Sequence, residues 1–357
     1  MKKTIFFVAL AALMMMGMEA EARSYRVCSR PGSGAHYASV AAAIADLANV
    51  FAGDTLYIEP GHVENNDVTL DRALVLIGPG YLFADNNLNM MNVEPAKFAQ
   101  NLSLADDSKI YGCEVAGDIR PESNCIIERC KANKINVYSV EYNLVVRGCI
   151  MEQFYCYYGC QSTIIENNII VNHGSSYCIS HISNSVIRNN TIYNNYNYGS
   201  SYLTSEVSNC EIYNNIIINA NTEFTTTVNP DQTIDTVFKS WNGLAFDATN
   251  NVHHNILSNK PQAEYSNCIF NAKAADVLVM DGNNETTYMH KVNGPAVGAG
   301  VGGSTCGAYG NYGGGTRPYQ VSGLPLGRPY IYDAEIDDTP SSNNTINASF
   351  KIKVQNQ

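Results

Sequence analysis

The chain has 357 residues, of which 45% are hydrophobic and 15% charged, and 33 acidic side chains against 22 basic ones give a net charge of -11. A chain this acidic repels the phosphate backbone, so we expect no nucleic-acid partner. Beyond the amino terminus, no stretch reaches the roughly 20 consecutive apolar residues that a membrane-spanning helix needs, so we expect no transmembrane segment.

The first 22 residues have the layout of a secretory signal peptide. Lys2 and Lys3 precede an apolar run from Ile5 to Met18, and Ala20-Glu21-Ala22 supplies a small-x-small cleavage pattern. We therefore expect an exported protein, whether periplasmic, cell-surface or secreted, whose mature chain begins near Arg23.

An alanine-rich segment follows, from Tyr37 to Ala48, with Ser39 at the position of an N-cap. This composition predicts a short α-helix. The end units of a stacked repeat have to cover the exposed core, so we expect this helix to cap the N-terminal end. The segments Gly53 to Gly61 and Leu74 to Gly80 then contain the Gly and Pro residues of turns and predict the first coil.

Seven segments with the same four-residue pattern occupy the middle of the chain. Each begins with Ile or Val, and its fourth residue is Cys in the first three segments and Asn in the last four. The first residues, which we call the anchors, are Ile110, Ile127, Val146, Ile165, Ile187, Ile212 and Val252. The steps range from 17 residues (110 to 127) to 40 residues (212 to 252), so a fixed core alternates with loops of variable length. This is typical of a solenoid, and the β-branched, Asn and Tyr content favours strands over helices.

Two more apolar rows accompany the anchors. The first row lies eight or nine residues before the next anchor and contains Ile119, Val137, Cys156, Cys178 and Leu203. The other row follows the Asn pairs, in segments such as Ile169 to Val171 and Ile216 to Ile218. We therefore predict three short strands in each turn, stacked as three parallel sheets. Asn168, Asn190 and Asn215 should then form a buried ladder of amides, since a buried amide needs partners.

This arrangement resembles the right-handed parallel β-helix of the pectin-lyase-like superfamily, and the Asn pairs resemble that family's asparagine ladder. The resemblance extends over roughly residues 25 to 310. It implies an all-β fold, with residues 23 to 315 as one β-helix domain that includes the helical cap. Residues 316 to 357 are then a short C-terminal appendage, in which Thr345 to Val354 predicts one strand. The resemblance also implies a polysaccharide bound on the first-strand face.

The 11 cysteines are an odd number, so at least one is unpaired. Cys113, Cys130 and Cys149 should stack in one column, and Cys156 and Cys178 in another. We predict that they are buried free thiols, which pack as small hydrophobic side chains, although disulfides stay open. No paired thiolate motif of the zinc type occurs, so we expect neither a metal nor another cofactor.

A row of alternating charge is predicted on the outer side of the anchor strands, formed by Glu128, Arg147, Glu166 and Arg188. Opposite charges at the spacing of neighbouring strands stabilise one another, so we interpret this row as a structural ladder. The alternative is that it binds a sugar acid.

Tyrosines recur on the outer side of the predicted first strands. They are Tyr138, Tyr155, Tyr157, Tyr177 and Tyr202, with Arg120 and Asp118 at one end of the row. Aromatic rows in a groove stack on sugar rings and bond through their hydroxyls, so we predict a glycan site here; a stack that only stiffens the sheet is the alternative. The single tryptophan, Trp241, lies in an insertion from 221 to 242 that borders the same face.

His181 and Glu206 should be neighbours, close to Tyr177 and Tyr202. His181 or Tyr177 could remove the proton next to a uronate carboxyl while Arg120 neutralises that carboxylate, which is the chemistry of a lyase. Glu206 could instead pair with Asp118 or Asp231 in glycoside hydrolysis.

The first hypothesis for function is an exported, monomeric polysaccharide-binding protein whose tyrosine-lined groove holds a glycan, for example one that contains uronate. The second is a polysaccharide lyase or glycoside hydrolase at the same groove. The third is a structural surface protein without catalytic activity. Fold alone does not separate them, because function depends on the site.

Overall fold

The structure, a computed structural model, describes residues 22–81, 94–173, 177–195, 204–220, 224–228, 234–238, 246, 248–258, 265–282, 284–310, 318–323, 329–336 and 348–354. Apart from residue 22, the predicted signal peptide lies outside these ranges. No helix within them is long and apolar enough to cross a membrane.

Most of the regular structure consists of short strands. In chain order they are β1 (Ser24–Val27), β2 (Thr55–Ile58), β3 (Val63–Glu64), β4 (Val68–Thr69), β5 (Val75–Ile77), β6 (Lys97–Phe98), β7 (Leu102–Leu104), β8 (Lys109–Tyr111), β9 (Glu114–Pro121), β10 (Ile126–Glu128), β11 (Lys131–Val137), β12 (Glu141–Tyr142), β13 (Val145–Arg147), β14 (Ile150–Met151), β15 (Gln153–Gln161), β16 (Ile164–Glu166), β17 (Ile169–Asn172), β18 (Ile179–Ser183), β19 (Val186–Arg188), β20 (Thr191–Asn194), β21 (Thr204–Ser208), β22 (Glu211–Tyr213), β23 (Ile216–Asn219), β24 (Phe224–Val228), β25 (Ile234–Phe238), β26 (Asn251–His253), β27 (Ile256–Leu257), β28 (Pro329–Ile336) and β29 (Ala348–Val354).

The anchors lie in a ten-stranded parallel sheet with the order β1-β2-β5-β8-β10-β13-β16-β19-β22-β26. Each strand pairs with the corresponding strand of the next coil, so that Ile127 lies between Ile110 and Val146. All seven anchors are buried in one core. The predicted inward row is therefore confirmed, and the chain forms a parallel β-helix.

A second, fifteen-stranded sheet forms the rest of the wall. Strands β9 and β11 are seven or eight residues long, and each contains a predicted third strand followed by the first strand of the next coil. Because these long strands are continuous, hydrogen bonding joins two of the three predicted sheets into one.

The apolar row that lies eight or nine residues before the anchors has a different register from the predicted one. Ile119 pairs with Ile135 instead of Val137, and Ile135 pairs with Phe154. Phe154 then pairs with Ile179, so Cys156 and Cys178 are not stacked. The sequence predicted the correct face of the strand but the wrong register. Ile135 and Val137 are both apolar and lie two residues apart, so the period of two in a strand cannot distinguish them. Leu203 lies outside the described residues.

The predicted asparagine ladder is present. Oδ1 of Asn190 accepts from the backbone N–H and from Nδ2 of Asn168, both at 3.0 Å. Asn215 accepts from Asn190 in the same way, and Asn255 from Asn215. The residue before each ladder position has a φ between 52° and 57°, which Gly and Asn adopt most easily. The ladder is confirmed, and it continues to Asn255.

A helix, α1 (Val40–Ala45), occurs in the predicted alanine-rich segment. Ser39 Oγ accepts from the Ala42 N–H at 3.0 Å, as an N-cap should. Val40 and Ala43 are buried in the main core. The helix is shorter than predicted, and its role as an end cap stays a prediction.

The C-terminal part packs on the outside of the β-helix. It contains α2 (Ala274–Val277) and 3₁₀ turns at Asn284–Tyr288, Val301–Gly303 and Val321–Gly323. A second apolar cluster joins side chains on the outer side of β17, β20 and β23 to residues of this segment, including Val277, Leu278 and Tyr319. The outer face of the later coils is thus covered by this C-terminal segment.

Two antiparallel hairpins complete the described structure. β24 pairs with β25 inside the 221 to 242 insertion. β28 pairs with β29, so the single strand predicted in the C-terminal appendage is one half of a hairpin.

Candidate functional site

Two adjacent coils carry extra residues at the end of their first strands. Val137 pairs with Cys156 and Glu141 pairs with Cys160, so residues 138–140 and 157–159 run side by side. In the next coil the space between the flanking pairs contains one residue, His181. We call the two three-residue excursions the ledge. The surface therefore has a step where the ledge ends and the coil of His181 begins. This step defines the candidate site.

A pocket of about 600 Å³ lies at this step. Tyr158 and Gly159 of the ledge form one side, and His181 and Glu206 lie in the adjacent coils. The remaining lining residues are Gln161, Ile182, Ser183, Val207, Ser208 and Phe246. Gly159 has a φ of 111°, and a Cβ there would meet nothing closer than 3.9 Å, so its missing side chain leaves space in the pocket.

An aromatic row leads along the ledge to the pocket. The rings of Tyr138 and Tyr157 stack with centroids 4.9 Å apart, and Tyr157 meets Tyr155 edge to face at 4.8 Å. Tyr155 in turn meets the ring of His181 at 5.9 Å. At the other end, the guanidinium of Arg120 lies 5.3 Å from the centroid of Tyr138. The structure thus places these five predicted site residues in one continuous row.

His181 and Glu206 are neighbours, as the sequence predicts. His181 Nε2 lies 3.4 Å from Glu206 Oε1, and the Glu206 side chain is 72% exposed. Both residues have a φ near 50°, at 54° and 50°. This left-handed conformation is unfavourable for residues other than Gly and Asn, and such strain is found often at functional sites.

Tyr155 keeps its proton at neutral pH. Burial raises the pKa of its hydroxyl, and the neighbouring Tyr157, Tyr177 and Glu206 add to the shift. The hydroxyl is therefore a hydrogen-bond donor and a poor base, which suits recognition of sugar oxygens.

Four buried polar atoms on this face have no hydrogen-bond partner within the described residues. They are Arg120 Nε, Asn136 Oδ1, Ser180 Oγ and His181 Nδ1. Arg120, Asn136, Tyr155 and Ser180 follow one another in register on successive strands. Buried polar groups are normally paired, so a cluster of unpaired ones calls for an explanation.

The end of the row near Arg120 carries additional polar groups. Asn136 Nδ2 donates to Asp118 Oδ2 at 3.1 Å and lies 3.0 Å from the Tyr138 hydroxyl. Asn133 donates to the other oxygen of Asp118 at 3.1 Å. Both oxygens of the Asp118 carboxylate thus accept hydrogen bonds, and Arg120 has no ion pair among the described residues.

Three further predicted residues remain. The backbone oxygen of Tyr177 accepts from Gln153 Nε2, and Tyr177 lies near enough to Tyr155 to add to the raised pKa of that hydroxyl. Tyr202 and Trp241 lie outside the described residues. Their predicted part in binding stays a prediction.

Sequence reasoning missed the pocket residues Tyr158, Gln161, Ser183 and Ser208, and it missed a disulfide. Cys156 and Cys160 are bonded, with Cα atoms 6.3 Å apart, so the prediction of a free thiol at Cys156 is wrong. The other nine cysteines are free, and all except Cys268 are buried. The separation of four residues between Cys156 and Cys160 was the available signal for the bond. A bond at this separation depends on the ledge, and no repeat pattern indicates the ledge.

The row of alternating charge lies on the other sheet and is paired throughout. Glu128 lies 3.5 Å from Arg147, and Glu166 lies 3.8 Å from Arg147 and 2.6 Å from Arg188. Burial opposes the charge of Arg188, but its bonds to Tyr213 and Glu166 raise its pKa overall. The interpretation as a structural ladder is supported by this pairing.

Within the described part of the chain, no group of three or more His, Cys, Asp or Glu side chains is arranged to hold a metal ion. Comparison with known proteins adds no name to the site: no family model matches the chain, and no curated protein gives a significant match.

Proposed function

We propose that the protein is an exported, monomeric polysaccharide-binding β-helix of the pectin-lyase-like superfamily, and that the glycan lies along the ledge and enters the pocket beside it. The observation that carries the proposal is the coincidence of the aromatic row with four unpaired buried polar atoms on the same face. Sugar rings stack on aromatic faces, and sugar hydroxyls would satisfy the unpaired atoms.

The length of the row fits a chain-like ligand. Arg120, Tyr138, Tyr157, His181 and Glu206 come from five successive coils. Four steps of ~4.8 Å between strands give a row of ~19 Å, which is long enough for several sugar rings along the helix axis. The unpaired guanidinium of Arg120 would suit a glycan that carries carboxylates, such as one containing uronate.

Hydrolysis is disfavoured by the positions of the carboxylates. Asp118 and Glu206 lie on strands four steps apart, ~19 Å by the strand spacing. A hydrolase needs its two carboxyl groups within roughly 10 Å of each other. Asp231, the other partner considered from the sequence, lies outside the described residues.

Lyase action is the second candidate, and the His181–Glu206 contact at 3.4 Å favours it specifically. The imidazole could accept a proton from a bound uronate. Arg120 lies three strand steps away, ~14 Å, so it cannot neutralise the carboxylate of the same sugar. The described lining of the pocket contains no Lys or Arg. Binding without turnover therefore ranks first.

The proposal is tested by titrating the protein with a panel of acidic and neutral polysaccharides. For any glycan that binds, Tyr157→Ala and Tyr155→Ala should each weaken binding about fivefold, or ~1 kcal/mol. Tyr57→Ala is the matched control, because Tyr57 is 44% exposed on the other sheet. Failure of every glycan to bind, or an equal loss in the control, would overturn the proposal.

Turnover is followed in the same samples. A lyase would produce the ultraviolet absorbance of an unsaturated uronate, and His181→Ala would abolish it while binding persists. Bound glycan that stays intact would exclude the second candidate.

A further inference from the structure

The two excursions of the ledge are held in different ways. In the first excursion, residues 138–140, Ser139 Oγ donates to Glu141 Oε1 at 2.6 Å, and Ser123 Oγ of the preceding coil donates to Glu141 Oε2 at 2.5 Å. Hydrogen bonds of this kind close the base of the excursion and connect it to its neighbour. Among the described residues, the second excursion has no such bonds. Its base is closed by the disulfide between Cys156 and Cys160.

The second excursion, residues 157–159, also has no strand partner on the side of the pocket. Four residues, 156–159, lie opposite the single residue His181, and pairing resumes only where Cys160 meets Ile182. The backbone of Tyr157, Tyr158 and Gly159 is therefore without a ladder on that side. A segment of this kind has access to many conformations unless its ends are fixed.

The residues on this segment are those that face the ligand. Tyr157 and Tyr158 are 46% and 74% exposed, whereas both bonded cysteines are fully buried beneath them. Tyr157 connects Tyr138 to Tyr155, and Tyr158 lines the pocket. Loss of the bond would thus affect the middle of the aromatic row and one side of the pocket together.

We propose that the Cys156–Cys160 bond is a positioning element for glycan binding, so that the protein binds its ligand tightly only in the oxidised form. This inference rests on the proposed function and adds redox control to the same site. The bond forms by thiol–disulfide exchange: the two thiols give up two electrons and two protons, and a disulfide oxidant takes them up to become two thiols. All 11 cysteines lie in described ranges, and no other pair is bonded.

The first measurement is a thiol count. Alkylation of the unfolded protein should modify nine cysteines without reductant and 11 after reduction with a phosphine. A count of 11 without reductant would overturn the proposal at once.

The second measurement needs no glycan. Hydrogen exchange of Gln153–Gln161 should become at least tenfold faster in Cys156→Ala/Cys160→Ala, while exchange of Ile164–Glu166 stays unchanged. Cys178→Ala is the matched control, because it removes a buried cysteine that forms no disulfide and lies directly before β18. Wild-type exchange at the ledge in the double variant would refute the positioning role.

The third measurement uses the glycan that binds most tightly in the panel above. The double variant should lose at least tenfold in affinity, and Cys178→Ala less than twofold. Unchanged affinity in the double variant would overturn the proposal. If wild-type protein binds no glycan, the proposed function fails, and the exchange experiment alone decides whether the bond positions the ledge. Should the double variant not fold, phosphine-reduced wild type takes its place in both assays.

Discussion

His181 and Glu206 face each other across adjacent strands, 3.4 Å apart, and both hold a left-handed backbone conformation that other residue types adopt with less strain. This solvent-exposed contact contributes little to stability, because solvent screens the interaction. Under the proposed function, we expect these two side chains to serve the pocket more than the stability of the fold.

Glu206→Gly should therefore leave the protein at least as stable as the wild type, since a left-handed conformation costs residues with a Cβ roughly 1 kcal/mol that glycine avoids. Glycan affinity should fall in the same variant. Stability is measured by thermal unfolding and affinity by titration. Asn209→Gly is the control, with a φ of 51° outside the pocket lining, and it should change neither quantity appreciably. A marked loss of stability in Glu206→Gly would contradict this assignment.

Asn190 in the middle of the asparagine ladder provides a second prediction. Its amide donates to Ile165 O at 2.8 Å and to Asn215 Oδ1 at 3.0 Å, and it is fully buried. Asn190→Leu leaves several of these partners unpaired, so we expect a loss of about 2–4 kcal/mol in the free energy of unfolding. Asn195→Leu, at an exposed position, should cost less than about 0.5 kcal/mol. Similar urea midpoints for the two variants would show that the ladder does not stabilise the fold.

The ladder and the anchors could be predicted because coils in a parallel stack repeat the same environment. Ile127 and Val146 are neighbours in space for the same reason that they match in sequence. Within one coil the pattern was less informative, since Ile135 and Val137 both suit the core and only one pairs with Ile119.

The ledge could not be predicted, because an excursion breaks the repeat and leaves no period to read. The C-terminal cover is a second example. Asn167 Nδ2 donates to Ala308 O at 2.8 Å across 141 residues of sequence. No local pattern reports a contact of that range, so the position of the segment had to come from the structure.

The charge ladder yields a third prediction. Glu166 is buried between Arg147 and Arg188, so Glu166→Gln leaves two guanidinium groups without the charge that separates them. We expect a loss of about 1–3 kcal/mol in the free energy of unfolding. Glu59→Gln breaks an exposed pair with Arg26 and should cost less than about 0.5 kcal/mol. Chemical unfolding in low and high salt measures both losses, and equal values would count against a stabilising ladder.

The last prediction concerns how the C-terminal segment is fixed to the β-helix. The Tyr319 hydroxyl donates to Glu285 Oε1 at 2.5 Å and lies 2.8 Å from the Tyr81 hydroxyl, and all three side chains are buried. Burial and the nearby Glu285 carboxylate raise the pKa of Tyr319 well above its usual value, so the hydroxyl stays a donor over the physiological pH range.

Tyr319→Phe removes this donor and leaves the buried Glu285 with fewer bonds, which should cost about 1–3 kcal/mol. The loss should be local, so limited proteolysis is expected to cut between Asn284 and Gly323 before the β-helix unfolds. Tyr288→Phe is the matched control, because its half-buried hydroxyl makes no hydrogen bond within the described residues. If the two variants resist protease equally, the Tyr319–Glu285 contact does not hold the segment in place.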